Sequence, residues 1–94
     1  MAKMKDNRVT IMITRPEREL ILRFGYPFDE IEHQLKEAGD VDLSPVTDDP
    51  YWWEQVMANL SISAKENEEV KRDKELVSAL RSLIERIAEE LGMP

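Results

Sequence analysis

Two adjacent tryptophans behind an aspartate–proline pair constrain this chain more than any other feature. Residues 47–64 read Thr-Asp-Asp-Pro-Tyr-Trp-Trp-Glu-Gln-Val-Met-Ala-Asn-Leu-Ser-Ile-Ser-Ala. The Asp49 side chain can accept free N–H groups of a first helical turn, and Pro50 at the first helical position gives up no bond it needed. A helix therefore starts at about residue 50. At about 100° per residue, Trp53, Val56, Met57, Leu60 and Ala64 share one stripe, with Trp52 on its shoulder. That stripe is the expected centre of the core. Tyr51, Ala58 and Ile62 project to the other side. Because large aromatics are more often core than site, burial of this helix on two faces is expected.

The strand signal lies near the start. Val9 to Thr14 alternates, with Val9, Ile11 and Ile13 on one face and Thr10, Met12 and Thr14 on the other. Thr14 then opens a helix as a capping box with Glu17, and Pro16 fits the first turn. Leu20, Ile21 and Phe24 form its stripe, with Gly25 as the left-handed stop. Tyr26-Pro27-Phe28 is a sharp corner, since the residue before a proline is pushed out of helical geometry. A second helix follows, with Phe28, Ile31, Leu35 and Ala38 as its buried stripe and Gly39 as its stop. Residues 40–46 alternate again, Val41 and Leu43 against Asp42 and Ser44, and Pro45 makes this an edge strand. After the tryptophan helix a break is expected near Asn67. A last helix over about 70–91 follows, with Leu76, Leu80, Leu83, Ile84, Ile87 and Leu91 as its stripe and Gly92 as its end. Arg81 with Glu85 and Arg86 with Glu90 read as pairs on its wet face.

The fold class is thus α+β and mostly helical. The expected order is β-α-α-β-α-α, a small two-stranded sheet packed by four helices. Ninety-four residues make one domain, read as a flexible tail over 1–7 and a single domain over 8–94. A chain this short buries only about 60–68% of its unfolded surface, so dimerisation through residues 70–91 or the strand edges is an alternative to a self-contained sheet. There is no cysteine, which excludes disulfides and thiolate chemistry. No apolar run approaches the length of a membrane span, and the N-terminal residues lack the apolar centre of a signal peptide. A cytoplasmic protein with no membrane partner is expected.

Residues of catalytic type are scarce. His33 is the one histidine. Glu30-Ile31-Glu32-His33 matches the Glu-x-x-His spacing of di-iron bundles, but it lies on the polar side of its helix and lacks a second histidine, so no metal site is expected. The serines have no base beyond His33 and no nucleophile-elbow turn. The three glycines read as helix stops or turns, which leaves no phosphate-cradling loop. We expect no enzymatic activity and no cofactor.

Charge is uneven along the chain. Residues 1–23 carry +3, residues 24–69 carry −10, and residues 70–94 balance, for a net −7. One basic surface, Lys3, Lys5, Arg8, Arg15, Arg18 and Arg23, has interleaved Glu17 and Glu19 and is opposed by the acidic middle, so no nucleic acid partner is expected. The acidic middle suits a basic protein.

The run Val9-Thr10-Ile11-Met12-Ile13-Thr14-Arg15-Pro16-Glu17-Arg18-Glu19-Leu20-Ile21-Leu22-Arg23-Phe24-Gly25-Tyr26-Pro27-Phe28-Asp29, with Trp52-Trp53-Glu54-Gln55-Val56, resembles a set of short uncharacterised proteins from bacteria and their mobile elements. The matching motifs are structural, a strand cap and helix starts. The resemblance implies a shared fold over residues 9–64 and carries no catalytic or binding residue. It also implies a phage or mobile-element origin, and small acidic proteins of that origin often act by binding a host protein. The expected function is a non-enzymatic protein-binding module, an inhibitor or antitoxin-like partner of a basic host protein. Its surface would be Asp40, Asp42, Asp48, Asp49 and Glu54, with Tyr51 or Trp52 as apolar anchor. The alternatives are a structural homodimer, or a small-ligand or metal binder using the tryptophan helix or His33.

Overall fold

A computed structural model describes residues 7–93; residues 1–6 of the expected tail lie outside the described residues. Strand β1 (Val9–Thr14) leads into α1 (Arg15–Leu20), a π-helical turn (Ile21–Gly25), α2 (Asp29–Glu37), β2 (Leu43–Asp48), α3 (Pro50–Glu66), a single turn α4 (Glu68–Lys71) and α5 (Lys74–Glu90). The fold is α+β and mostly helical, with one antiparallel sheet of two strands in the order β1-β2.

Pairing runs from Val9↔Asp48 to Thr14↔Leu43. Thr47 spends its N–H on Gln34 Oε1 at 2.7 Å, while its carbonyl accepts from Gln34 Nε2 at 2.7 Å. Thr10↔Thr47 is therefore a pair without ladder hydrogen bonds, and by the antiparallel alternation so is Met12↔Pro45. Pro45 thus sits where its missing N–H interrupts no ladder bond. The outer edge of β1 is covered as well, because Arg86 of α5 donates to the Met12 carbonyl. Each edge thus has backbone groups engaged by side chains of the same chain, which leaves fewer of them open to a further strand.

The second strand lies later than the alternation implied, and its faces are reversed. Val41 and Leu43 are exposed, while Ser44, Val46 and Asp48 point inward. The reason is Arg18, which is 3% exposed. Its guanidinium donates to the carbonyls of Ile13, Gly39 (3.2 Å) and Val41 and to Ser44 Oγ (3.3 Å). A buried cation with four oxygen partners fixes the 39–44 segment, and Ser44 faces it instead of water.

Arg18, one of the six cations of the basic surface, is consequently inside. Arg15 pairs with Asp42 at 2.8 Å. The capping box of α1 forms, with Glu17 N–H donating to Thr14 Oγ1 and Thr14 N–H to Glu17 Oε1. The helix does not end at a left-handed Gly25. It widens into the π turn, and Tyr26 takes the left-handed conformation at φ 43°. Gly25 is needed for another reason. A Cβ there would lie 3.2 Å from Val56 Cγ1 and 3.3 Å from Ile21 Cγ2, so the turn lies directly on α3. Two α3 side chains satisfy its carbonyls: Ser63 Oγ donates to Phe24 O at 3.0 Å and Asn59 Nδ2 to Gly25 O at 2.9 Å.

The core gathers Ile11, Ile13 and Val46 of the sheet, Ile21 and Phe24, Ile31 and Leu35 of α2, and Trp53, Val56 and Leu60 of α3. Leu80, Leu83 and Ile87 of α5 close it. Trp53 is fully buried and its indole N–H donates to Val9 O at 3.1 Å, tying α3 to the first strand. Asn67 ends α3 and caps α4, accepting from the Glu69 and Val70 N–H groups, where the break was expected. Asp73 then starts α5 by accepting from Leu76 N–H, so the last helical segment is divided in two. The α5 stripe is spent inside the chain, with Leu76, Val77, Ile84 and Leu91 partly buried against the core. Arg86 does not stay with Glu90; it reaches Glu17 of α1.

Candidate functional site

Three large aromatics stand in solvent on one side of the molecule. Tyr26 is 65%, Phe28 60% and Tyr51 57% exposed. Half-buried Trp52 joins them: its ring lies 4.7 Å from that of Phe28, tilted by 58°, and 4.7 Å from that of Tyr51, edge on at 79°. The two-sided burial expected for α3 is not found. Its stripe of Trp53, Val56, Leu60 and Ala64 is covered, whereas Tyr51, Ala58 and Ile62 remain exposed. Phe28, expected in the α2 stripe, sits at the N-cap of that helix with its ring outside.

The local sequence explains the arrangement. The π turn delivers Tyr26 in a left-handed conformation, which swings Pro27 and Phe28 back across α3. Strained backbone of this kind persists only where the surroundings hold it, here by Asn59 and Ser63 on the preceding carbonyls. Pro50 and the Asp49 carbonyl, which accepts from the Trp52 and Trp53 N–H groups, start α3 so that Trp53 points in and Trp52 points along the surface. The Asp49 carboxylate makes no capping bond, contrary to expectation.

Two clefts flank the Phe28–Trp52 contact. The first, about 190 Å³, is lined by Phe28, Asp29, Glu30, Asp48 and Trp52. The second, about 110 Å³, is lined by Tyr26, Phe28, Trp52, Gln55, Val56 and Asn59. Among the described residues no basic side chain lines either. The ion pairs Arg15–Asp42, His33–Glu37, Lys36–Glu32, Lys71–Glu68 and Arg86–Glu17 lie elsewhere. Asp29, Glu30 and Asp48 therefore place negative charge beside an apolar ridge. Asp49 and Glu54, both exposed, add to it from the start of α3.

Of the residues singled out in the sequence, Asp48, Asp49, Tyr51, Trp52 and Glu54 fall together. Asp40 and Asp42 do not. They precede β2 at its Leu43 end, whereas Asp48 closes the other end, and a six-residue strand separates its ends by roughly 17–20 Å. Asp42 is moreover engaged by Arg15, which also donates to the Asp40 carbonyl. Sequence reasoning missed Tyr26, Phe28, Asp29 and Glu30. The available signal was an aromatic on each side of Pro27 followed at once by two acids. His33 is exposed on α2, its Nε2 3.8 Å from Glu37 Oε2, and no group of three or more metal-ligating side chains converges among the described residues. No helix of the described residues is long and apolar enough to cross a membrane. In comparisons with known proteins, no family model, no curated protein and no solved structure matches this chain.

Proposed function

We propose that this chain is a non-enzymatic protein-binding module that docks a basic protein on the face formed by Tyr26, Phe28, Tyr51 and Trp52 with Asp29, Glu30, Asp48, Asp49 and Glu54. The carrying observation is the contiguous, solvent-facing aromatic ridge beside carboxylates that take no part in the ion pairs of Arg15, His33, Lys36, Lys71 and Arg86. Aromatic anchors of limited side-chain freedom are the side chains that dominate protein interfaces, and a rim of one charge selects and steers a partner of the other. The resemblance to short proteins of bacterial mobile elements supports an inhibitor or antitoxin-like role toward a basic host protein. Asp40 and Asp42 are left outside this surface.

The test is capture from host lysate followed by titration of the purified partner. A basic protein lost at high salt, bound at least about tenfold more weakly by Trp52→Ala or Asp29→Lys and within twofold by Asp42→Lys, supports the proposal. Recovery of this chain alone, or loss in Asp42→Lys without loss in Trp52→Ala, overturns it.

A further inference from the structure

Within the aromatic face, Asp48 differs from the other carboxylates. It is 8% exposed and lines the first cleft. Its Oδ1 accepts the Asp49 N–H at 2.7 Å, and among the described residues no other donor reaches the carboxylate. Among the described residues no fully buried side-chain nitrogen or oxygen lacks a partner, and Asp48 keeps a small exposure beside the cleft that it lines. A nearly buried carboxylate whose one bond among the described residues is to a backbone N–H keeps the capacity to accept from a further donor.

The walls define that donor. Phe28 and Trp52 supply aromatic surface, and Asp29 and Glu30 line the same cleft from the start of α2. Small-molecule pockets run to about 300–1,000 Å³, so a cleft of 190 Å³ suits a single long side chain. A planar guanidinium stacks on an indole while donating in its own plane to carboxylates, whereas a compact, strongly hydrated ammonium does not do both. We infer that the Phe28–Trp52–Asp48 cleft is an arginine-binding site, which seats one arginine side chain of the protein partner with its guanidinium against Trp52 and its N–H groups on Asp48, Asp29 and Glu30. This rests on the binding-module reading and names the anchor that reading leaves open.

The test titrates the full chain with acetylated, amidated Gly-Ser-Xaa-Ser-Gly peptides in which Xaa is arginine, lysine or citrulline, following the two indole N–H resonances. The expected result is a saturable shift of the Trp52 signal by the arginine peptide with the Trp53 signal unmoved. Citrulline, which keeps the shape without the charge, should bind at least about tenfold more weakly, and lysine severalfold more weakly. Asp48→Asn, which can still accept the Asp49 N–H, should weaken the arginine peptide about tenfold. Should that variant misfold, the exposed double variant Asp29→Asn/Glu30→Gln carries the same expectation. Equal binding of arginine and citrulline, or no saturable Trp52 shift up to about 10 mM peptide, overturns the inference. A protein partner that depends on Trp52 while arginine peptides leave its indole unmoved overturns this inference alone. An arginine peptide that binds as expected while no protein partner is recovered supports the cleft assignment and overturns the module.

Discussion

Glu17 and Arg86, 69 residues apart, form a forked pair in which Arg86 Nε donates to Glu17 Oε2 at 2.8 Å and Nη2 to Oε1 at 2.6 Å. The same carboxylate accepts the Thr14 N–H and the same guanidinium reaches the Met12 carbonyl. One contact thus joins the cap of α1, the edge of β1 and the last helix.

Acid should weaken this clasp. Burial alone would raise the Glu17 pKa, but hydrogen bonds from Arg86 and Thr14 and the Arg86 charge outweigh it and hold the group below its ordinary 4.5. A folded-state pKa that is depressed adds stability at pH values above 4.5, and that stability is lost as pH falls through the lower folded value. Arg86→Met is expected to cost about 1–2 kcal/mol at pH 7. Thermal midpoints of wild type and variant should then converge as pH falls below 4.5 and through the lower folded value. A gap that stays constant across that range would contradict the assignment.

Arg18 is expected to be the most sensitive polar residue. Arg18→Met leaves Ser44 Oγ and the carbonyls of Gly39 and Val41 without this donor and takes a second one from the Ile13 carbonyl, a loss of about 2–4 kcal/mol in urea unfolding. Arg18→Lys should recover less than half, because one ammonium does not span partners on both sides of the fork. Wild-type stability in either variant would show that the buried guanidinium is dispensable.

Tyr26 should trade stability for binding. Its left-handed backbone is costly for a tyrosine and tolerated by asparagine or glycine, so Tyr26→Asn should leave the thermal midpoint unchanged or raise it by a few degrees, a gain of up to ~1 kcal/mol. The same change removes an exposed ring from the docking face and should weaken partner binding severalfold. A clear drop in midpoint would mean that the ring supports the fold.

What the sequence made legible follows from how local each signal is. The capping box at Thr14 and Glu17, the alternation of Val9 to Thr14, the stripe through Trp53 and Leu60 and the break at Asn67 depend on neighbours within one turn or strand, and the structure contains all four. The reversal of β2 depends on Arg18, some 26 residues away from Ser44, and nothing in the alternation of Val41 and Leu43 reports it. The site was half legible for the same reason. Asp48, Tyr51 and Trp52 cluster along the chain, but Tyr26, Phe28, Asp29 and Glu30 join them only through the π turn, which Asn59 and Ser63 hold from another helix. Asp40 and Asp42 looked contiguous with Asp48 in sequence, and an extended strand sets them apart.

The central claim is that a partner sits on the aromatic ridge, and site-specific photocrosslinking in host cells tests it most directly. A p-benzoylphenylalanine at position 28 should trap a basic protein, with the same crosslinker at Leu43, exposed at the far end of the sheet, trapping none. Crosslinks from position 43 and none from position 28 would contradict the account.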